Sequence, residues 1–516
     1  MKILVYSAVN AETIGSSLGL PDYSYYFVLR DFLPVLQELA EVVVVRDLAE
    51  VPSLHEACAS AGDECVLLSF TPPHKAPTDL PCQVIPVFAW EFYSIPSERW
   101  QGDDRQNWSS MLARLGMAIT HSELVVRCVR AELGEDYPIV SMPSPVWDKF
   151  AAFRSDRREI PERVVIKIAQ GVIADTCDKA LSPYISGQEA IACVVQAIRE
   201  HESAQRRQKT PQAAVPAYRT DSAAAVSWRH LRRGLKQAAR VAWRALRRHR
   251  SVAIEGLELR ASERVKLEPG NPVEPPHPGA QGLVPKMPTW TPGECVLELS
   301  GVVFTALFNP YDGRKNWADM LTAFCSAFRD TEDATLVFKL GHREYESAMH
   351  DMLIWLARMP KFKCRVVLLQ GYLEGKEFDN LIQASAFAVN ASHGEGQCLP
   401  LMEFLSCGKP AVAPRHSAML DYMDDDVGFV VSSWEDATAW SHDPRLAYRT
   451  LRHQIDWDSL RSAYIAAYNC YRQTPEEYRR LSDNAIERMR SHCSQAVTAK
   501  RLREFLVMGA AHAAHA

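Results

Sequence analysis

The stretch that decides the fold runs from Asn390 to Pro414 and reads NASHGEGQCLPLMEFLSCGKPAVAP. An apolar run, Phe387-Ala388-Val389, predicts a buried strand ending at Asn390. The turn Ser392-His393-Gly394-Glu395-Gly396 follows at once, and a helix is expected to begin near Leu399-Pro400, since proline suits a first helical turn. A strand, a glycine turn and a helix N-terminus offer unpaired backbone N–H groups and the positive end of a helix dipole. The junction therefore suits a phosphate or a polyhydroxylated ligand. Two carboxylates frame it, Glu395 in the turn and Glu403 one turn into the helix, with seven residues between them. A carboxylate accepts from two donors at once, so it holds vicinal hydroxyls well. An ordinary helix N-terminus with an acidic first turn would show the same residue types.

Outward from this stretch, the chain reads as two series of alternating strands and helices. In residues 1–150, strands are expected at Ile3–Val5, Val42–Val45, Cys65–Phe70, Val84–Phe88, Met117–Thr120 and Ile139–Met142, with helices at Tyr25–Leu39, Trp108–Leu115 and Glu123–Leu133. Residues 294–473 repeat the pattern, with strands at Gly301–Phe308, Thr335–Leu340, Arg365–Leu369, Phe387–Asn390, Pro410–Ala413 and Val427–Val431. Such βαβ order predicts parallel sheets covered on both faces, with ligands beyond the carboxyl ends of the strands. The loop after the first strand carries Gly15 and Gly19, spaced unlike a G-x-G-x-x-G fingerprint, so a classical dinucleotide site is disfavoured. Residues 474–516 read as helices of mixed charge.

Between the two series, 151–293 reads as insert and linker. Val164–Ile173 and Gly187–Glu200 look structured, Glu202–Ser222 is polar, and Lys266–Pro292 is rich in proline. Within it, residues 228–251 (WRHLRRGLKQAARVAWRALRRHRS) place Trp228, Leu231, Leu235, Ala239, Ala242 and Leu246 at helical spacing. The other faces carry nine cations and no acid, and removing those nine from the net charge of −5 leaves the rest of the chain at −14. An in-plane anchor on anionic lipid, a solvated face packed on the acidic remainder and a disordered insert all fit this pattern. Sparse aromatic interleaving disfavours nucleic acid.

A hydrophobic content of 47% and 516 residues predict two or three globular domains. Thirteen cysteines, odd in number and without a C-x-x-C pair, give a reduced, intracellular pattern. The N-terminus MKILVYSAV reads as a first strand, not a signal peptide, and no apolar stretch approaches a membrane span. A cytoplasmic protein is expected, with peripheral attachment to the inner face of the plasma membrane if 228–251 binds lipid.

The 390–414 stretch closely resembles the Glu-x7-Glu signature of the family-4 retaining glycosyltransferases. The resemblance implies the GT-B fold: two Rossmann-like α/β domains facing across a cleft, here with a basic insert between them and C-terminal helices crossing back to the first domain. It assigns the transferred sugar to Glu395 and the ribose of a nucleotide to Glu403, with Gly394, Gly396, Gln397, Cys398, Leu399 and Gly15 as further donor-binding positions. The common form after the first Glu is Gly-Phe-Gly-Leu-Pro, so Cys398 stands where a glycine is usual and Gln397 is placed to tune donor choice. The turn Asn309-Pro310-Tyr311-Asp312-Gly313-Arg314-Lys315-Asn316 resembles the family's diphosphate-neutralising Arg and Lys. Lys315 matches that Lys, whereas Arg314 is immediately adjacent to it instead of several residues away. Trp90-Glu91, Pro96 and Trp100 resemble a pattern of one subgroup, and Ile119-Thr120-His121-Ser122 the step that follows it. On this basis Glu91 is an acceptor-binding or proton-handling candidate, with His74 a weaker one. The implied activity is transfer of a sugar from a nucleotide-diphosphate donor, GDP- or UDP-linked, to a glycan or lipid-linked acceptor in surface polysaccharide synthesis, without metal or other cofactor. A glycogen-synthase-like glucan polymerase and a non-catalytic glycan-binding or scaffold protein are the alternatives.

Overall fold

A computed structural model of the chain describes residues 1–186 and 290–513, apart from 21, 100–102, 157–158 and 440–448, together with isolated positions between 190 and 199. The expected basic helix 228–251, the linker 266–292 up to residue 289, the polar segment 202–222 and Trp100 lie outside the described residues, as does most of Gly187–Glu200.

The first half is a six-stranded parallel sheet. Its strands are β1 (Lys2–Tyr6), β2 (Glu41–Val44), β3 (Cys65–Ser69), β4 (Gln83–Phe88), β5 (Ala118–Thr120) and β6 (Ile139–Ser141), in the order β2-β1-β3-β4-β5-β6. Helices Tyr23–Leu39, Val51–Ser60, Trp108–Leu115 and Glu123–Leu133 connect them. Ile3, Val5, Leu68, Ile85 and Val87 pack with Phe32 and Leu36 into one core, while Leu4, Leu67 and Val84 fill the other face. Near-continuous apolar strands covered on both faces are what a parallel sheet requires.

The second half is an eight-stranded sheet built from β7 (Arg163–Asp175), β8 (Gly293–Ser300), β9 (Val302–Phe308), β10 (Ala334–Leu340), β11 (Arg365–Gly371), β12 (Phe387–Val389), β13 (Ala411–Pro414) and β14 (Gly428–Val431). Their order is β14-β13-β12-β9-β10-β11-β7-β8. The six strands from β9 to β14 run parallel, and β7 and β8 add an antiparallel edge. This edge corrects the boundary read from the sequence. Residues 163–175 were expected in the insert, but they pair with β11 and β8 and belong to the second sheet. A polar hairpin, β15 (Ser433–Ala439) and β16 (Arg449–Ile455), follows β14.

Helices Trp457–Gln473, Pro475–Cys493 and Gln495–Ala513 close the chain. Leu502 and Phe505 on the last of these lie in the core of the first half. The chain therefore returns to its N-terminal sheet, and the two Rossmann-like halves face one another as the GT-B architecture requires.

Candidate functional site

The strand, turn and helix of the motif form as expected: β12 ends at Val389 and the helix runs Leu399–Ser406 with Pro400 in its first turn. Glu395 is only 3% exposed. Its carboxylate accepts from Lys315 Nζ at 2.7 and 2.8 Å, Arg314 at 2.9 Å, Asn390 Nδ2 at 3.0 Å and Ser392 Oγ at 2.6 Å. Burial works against ionisation, yet Lys315 and Arg314 override it and hold the carboxyl well below the usual carboxylate range. Glu395 is an anion at every ordinary pH.

Arg314 is a hub. It donates to Glu395 and to the Gly394 carbonyl, and pairs with Asp312 at 2.9 Å and with Glu91, in the other half of the molecule, at 3.3 Å. Burial opposes its charge, but Glu91, Glu395 and Asp312 raise its pKa further. Glu91 thus faces the cleft and ties the two halves through a guanidinium.

Glu403 sits elsewhere along the cleft. Lys149, which follows β6 in the first half, reaches it at 2.6 Å. Burial lowers Lys149, and Glu403 and Asp31 more than restore it, so its pKa is raised. Asp31 is pushed by burial up to about 6, with Lys149 opposing and Glu403 adding to the rise. Lys339, near the carboxyl end of β10, is brought down by burial to about 8, with the charge of Glu403 pulling it back up.

The glycines of the turn serve the seam between the halves. A Cβ on Gly394 would stand 2.8 Å from the Glu91 carbonyl oxygen, and one on Gly396 would stand 2.9 Å from Ala89 Cβ and 3.2 Å from Trp90 N. Gly19, at φ +77°, likewise lets the first loop lie against His342, and its carbonyl accepts from Asn309 Nδ2 at 3.0 Å. Gly15 has open space around it. Cys398 takes the left-handed conformation, φ 58°, as the cap of the motif helix, which is the backbone shape that glycine adopts at least cost. Its thiol is buried against Asn390 Nδ2 at 3.1 Å. Gln397 Oε1 accepts from Ser144 N at 3.1 Å, a further tie across the seam, and Leu399 packs between the two cores. His74 stands apart from the motif: its ring stacks on Trp108, whose indole N–H donates to Nδ1 at 3.1 Å, and burial lowers it to about 4. That histidine is part of the first half's packing.

Sequence reading missed Lys149, Lys339 and a histidine group beside Glu395. The His453 N–H on β16 donates to the His393 carbonyl at 2.9 Å, the His393 ring Nδ1 lies 2.8 Å from the His453 carbonyl, and His453 Nε2 lies 2.7 Å from Tyr93 Oη of the first half. Its ring stacks on His416 at 4.3 Å, and Ser417 Oγ accepts from the Glu395 backbone at 2.9 Å. No local signal marks these residues, because each meets the motif only through tertiary contact. Among the described residues no group of three or more His, Cys, Asp or Glu side chains is placed to hold a metal ion, and no helix is long and apolar enough to cross a membrane. A cavity of about 520 Å³ beside β7 and β8, lined by Asp175, Asp178, Trp290 and Glu294, includes no residue of the motif.

No curated protein matches the sequence. Among solved structures, the chain is similar to the pneumococcal O-GlcNAc transferase GtfA in complex with UDP and GlcNAc, at 10% identity and a TM-score of 0.39, over 88% of this chain and 59% of that one. It is also similar to Anabaena HepE in complex with UDP and glucose, at 8% identity and 0.42, over 98% and 99%. A glycosyltransferase from Rickettsia africae gives 10% identity and 0.44, over 98% and 97%. Likeness at this level carries no donor, acceptor or activity over to this chain. Residues 301–443 match the family model described as glycosyl transferases group 1, a span that includes Arg314, Lys315, Lys339, Glu395 and Glu403. The part of the second half that bears both carboxylates of the motif is therefore similar to a glycosyl transferases group 1 domain.

Proposed function

We propose that the chain is a retaining glycosyltransferase that moves a sugar from a nucleoside-diphosphate donor to a glycan or lipid-linked acceptor in surface polysaccharide synthesis. The observation that carries this is the meeting of Glu395 with Lys315 and Arg314 at one end of the cleft and of Glu403 with Lys149 at the other, both carboxylates inside a span similar to a glycosyl transferases group 1 domain. In this reading Glu395 orients the transferred sugar and Glu403 holds the ribose hydroxyls. The diphosphate departs on the face from which the acceptor arrives, toward Lys315 and Arg314, and its oxygen takes the acceptor's proton. Neither step calls on a metal. The seam formed by Gly394, Gly396 and Glu91 keeps water from the donor when the halves are together. UDP and GDP are the favoured nucleotides. The nine cations of 228–251 support attachment to an anionic membrane surface, so deletion of 228–251 should release the protein from anionic vesicles.

The test is donor turnover. Incubation with UDP-, GDP- and ADP-sugars, followed by proton NMR, should show one sugar released or transferred with its anomeric configuration kept. Inversion would refute the retaining mechanism, and inertness toward all donors and acceptors would favour a binding or scaffold protein.

A further inference from the structure

The two ends of the cleft differ in charge. At Glu395, Arg314 and Lys315 face three carboxylates, Glu91, Asp312 and Glu395. Part of the charge with which Arg314 and Lys315 meet a departing diphosphate is thus already balanced by protein carboxylates, and a further cation would add to it. At Glu403 two carboxylates, Glu403 and Asp31, meet three cations: Lys149 pairs with Glu403 at 2.6 Å, Arg30 with Asp31 at 3.8 Å, and Lys339 is left over.

Lys339 lies opposite Leu307 of β9 and Leu369 of β11, one residue before the end of β10. Ligands of parallel sheets collect beyond such strand ends. The turn that follows, at Gly341, comes close to Tyr23 Oη of the first half, so this strand end belongs to the seam. Every other residue of β10 is buried, while Lys339 is partly so. Its ammonium has no hydrogen-bond or ion-pair partner among the described residues, although Arg314, Lys315 and Lys149 all do. A partly buried ammonium without an acceptor is unfavourable unless something else supplies one.

Resting on the donor reading above, we propose that Lys339 is a donor-binding residue that contacts the phosphate attached to the ribose held by Glu403. It supplies the positive charge that Arg314 and Lys315 already share among carboxylates. The phosphate oxygens in turn give its ammonium the acceptors it lacks.

The experiment is calorimetric titration of the full chain and of Lys339→Met and Lys339→Arg with uridine, UMP and UDP, or with the guanosine or adenosine series if the chain prefers that base. Lys339→Met should weaken UMP and UDP by about tenfold or more, the scale of a charged hydrogen bond, and leave the nucleoside unchanged. Lys339→Arg should recover most of the loss. The free Lys339→Met protein should melt no lower than the parent, because an unpaired cation has been removed. Equal UDP affinity in parent and Lys339→Met would overturn the assignment while leaving the donor reading standing. An equal loss for nucleoside and nucleotides would also overturn it, placing Lys339 on the base or ribose. A parent chain that binds none of the diphosphates would instead refute the donor reading, and this assignment with it.

Discussion

Glu395 and Glu403 belong to one short motif, yet the fold gives them opposite settings. Glu395 is enclosed, with four side chains donating to it and two further carboxylates on its arginine. Glu403 has one lysine at contact distance, itself about a third exposed, and another within electrostatic range. The first is a rigid, internally balanced element that fixes geometry. The second leaves donors and charge for a ligand. Motif spacing alone does not separate these roles; the cations brought from the segment after β6, from β10 and from the 309–316 turn do.

The contrast can be broken hardest at Glu395. Glu395→Ala leaves Arg314 and Lys315 enclosed without their main acceptor and should cost about 3–5 kcal/mol in denaturant unfolding. Glu403→Ala, whose partner reaches solvent, should cost about 1 kcal/mol or less in the same measurement. Equal losses would remove the distinction between the two ends.

A second cut uses a buried cation on the motif with no acid beside it. Lys409 is 1% exposed, with only the Gln383 carbonyl at 3.4 Å, and burial lowers it to about 7. Between about pH 7 and the unfolded value near 10.4 the unfolded chain holds the extra proton, so stability rises with pH across that window. Lys409→Met should flatten that slope and raise stability at neutral pH; an unchanged profile would show that Lys409 keeps its charge in the fold.

Smaller effects sharpen the Glu403 side. Asp31 is raised to about 6, above its unfolded value near 3.9, so the folded chain holds the extra proton between about pH 4 and 6 and stability falls as pH rises through that window. Asp31→Asn should remove that fall and tighten nucleotide binding by making the Glu403 end more positive. At the seam, Gly394→Ala must move the Glu91 carbonyl, at a cost of about 1–3 kcal/mol. Tyr93→Phe, which removes the hydroxyl beside His453, should cost about 0.5–1.5 kcal/mol in thermal unfolding.

Much of this was legible in the sequence. The strands showed as apolar runs because parallel sheets are buried on both faces, and the 390–414 turn kept its glycines, carboxylates and helix start together in the chain. What was not legible depended on distant partners. β7 joins the second sheet across more than a hundred residues from β8, and its apolar pattern says nothing about which sheet it enters. The hairpin β15–β16 is polar and carries no apolar run to announce it. Gly394 and Gly396 read as donor-binding positions, and the side that a Cβ would occupy on each is lined by Ala89–Glu91; a glycine signals close approach without naming what approaches. Arg314 was readable as a cation, but not as one shared by three carboxylates from two halves of the molecule.

The most direct measurement is thermal melting of the parent chain and Glu403→Ala with UDP, GDP and ADP over a range of concentrations. At a hundred times its dissociation constant, a ligand of the native state adds about 2.7 kcal/mol, enough to move the midpoint visibly. One nucleotide should raise the parent's midpoint, and the variant should lose that rise while folding normally without ligand. A parent indifferent to all three nucleotides, or a variant that responds as fully as the parent, would contradict a donor site built on Glu403.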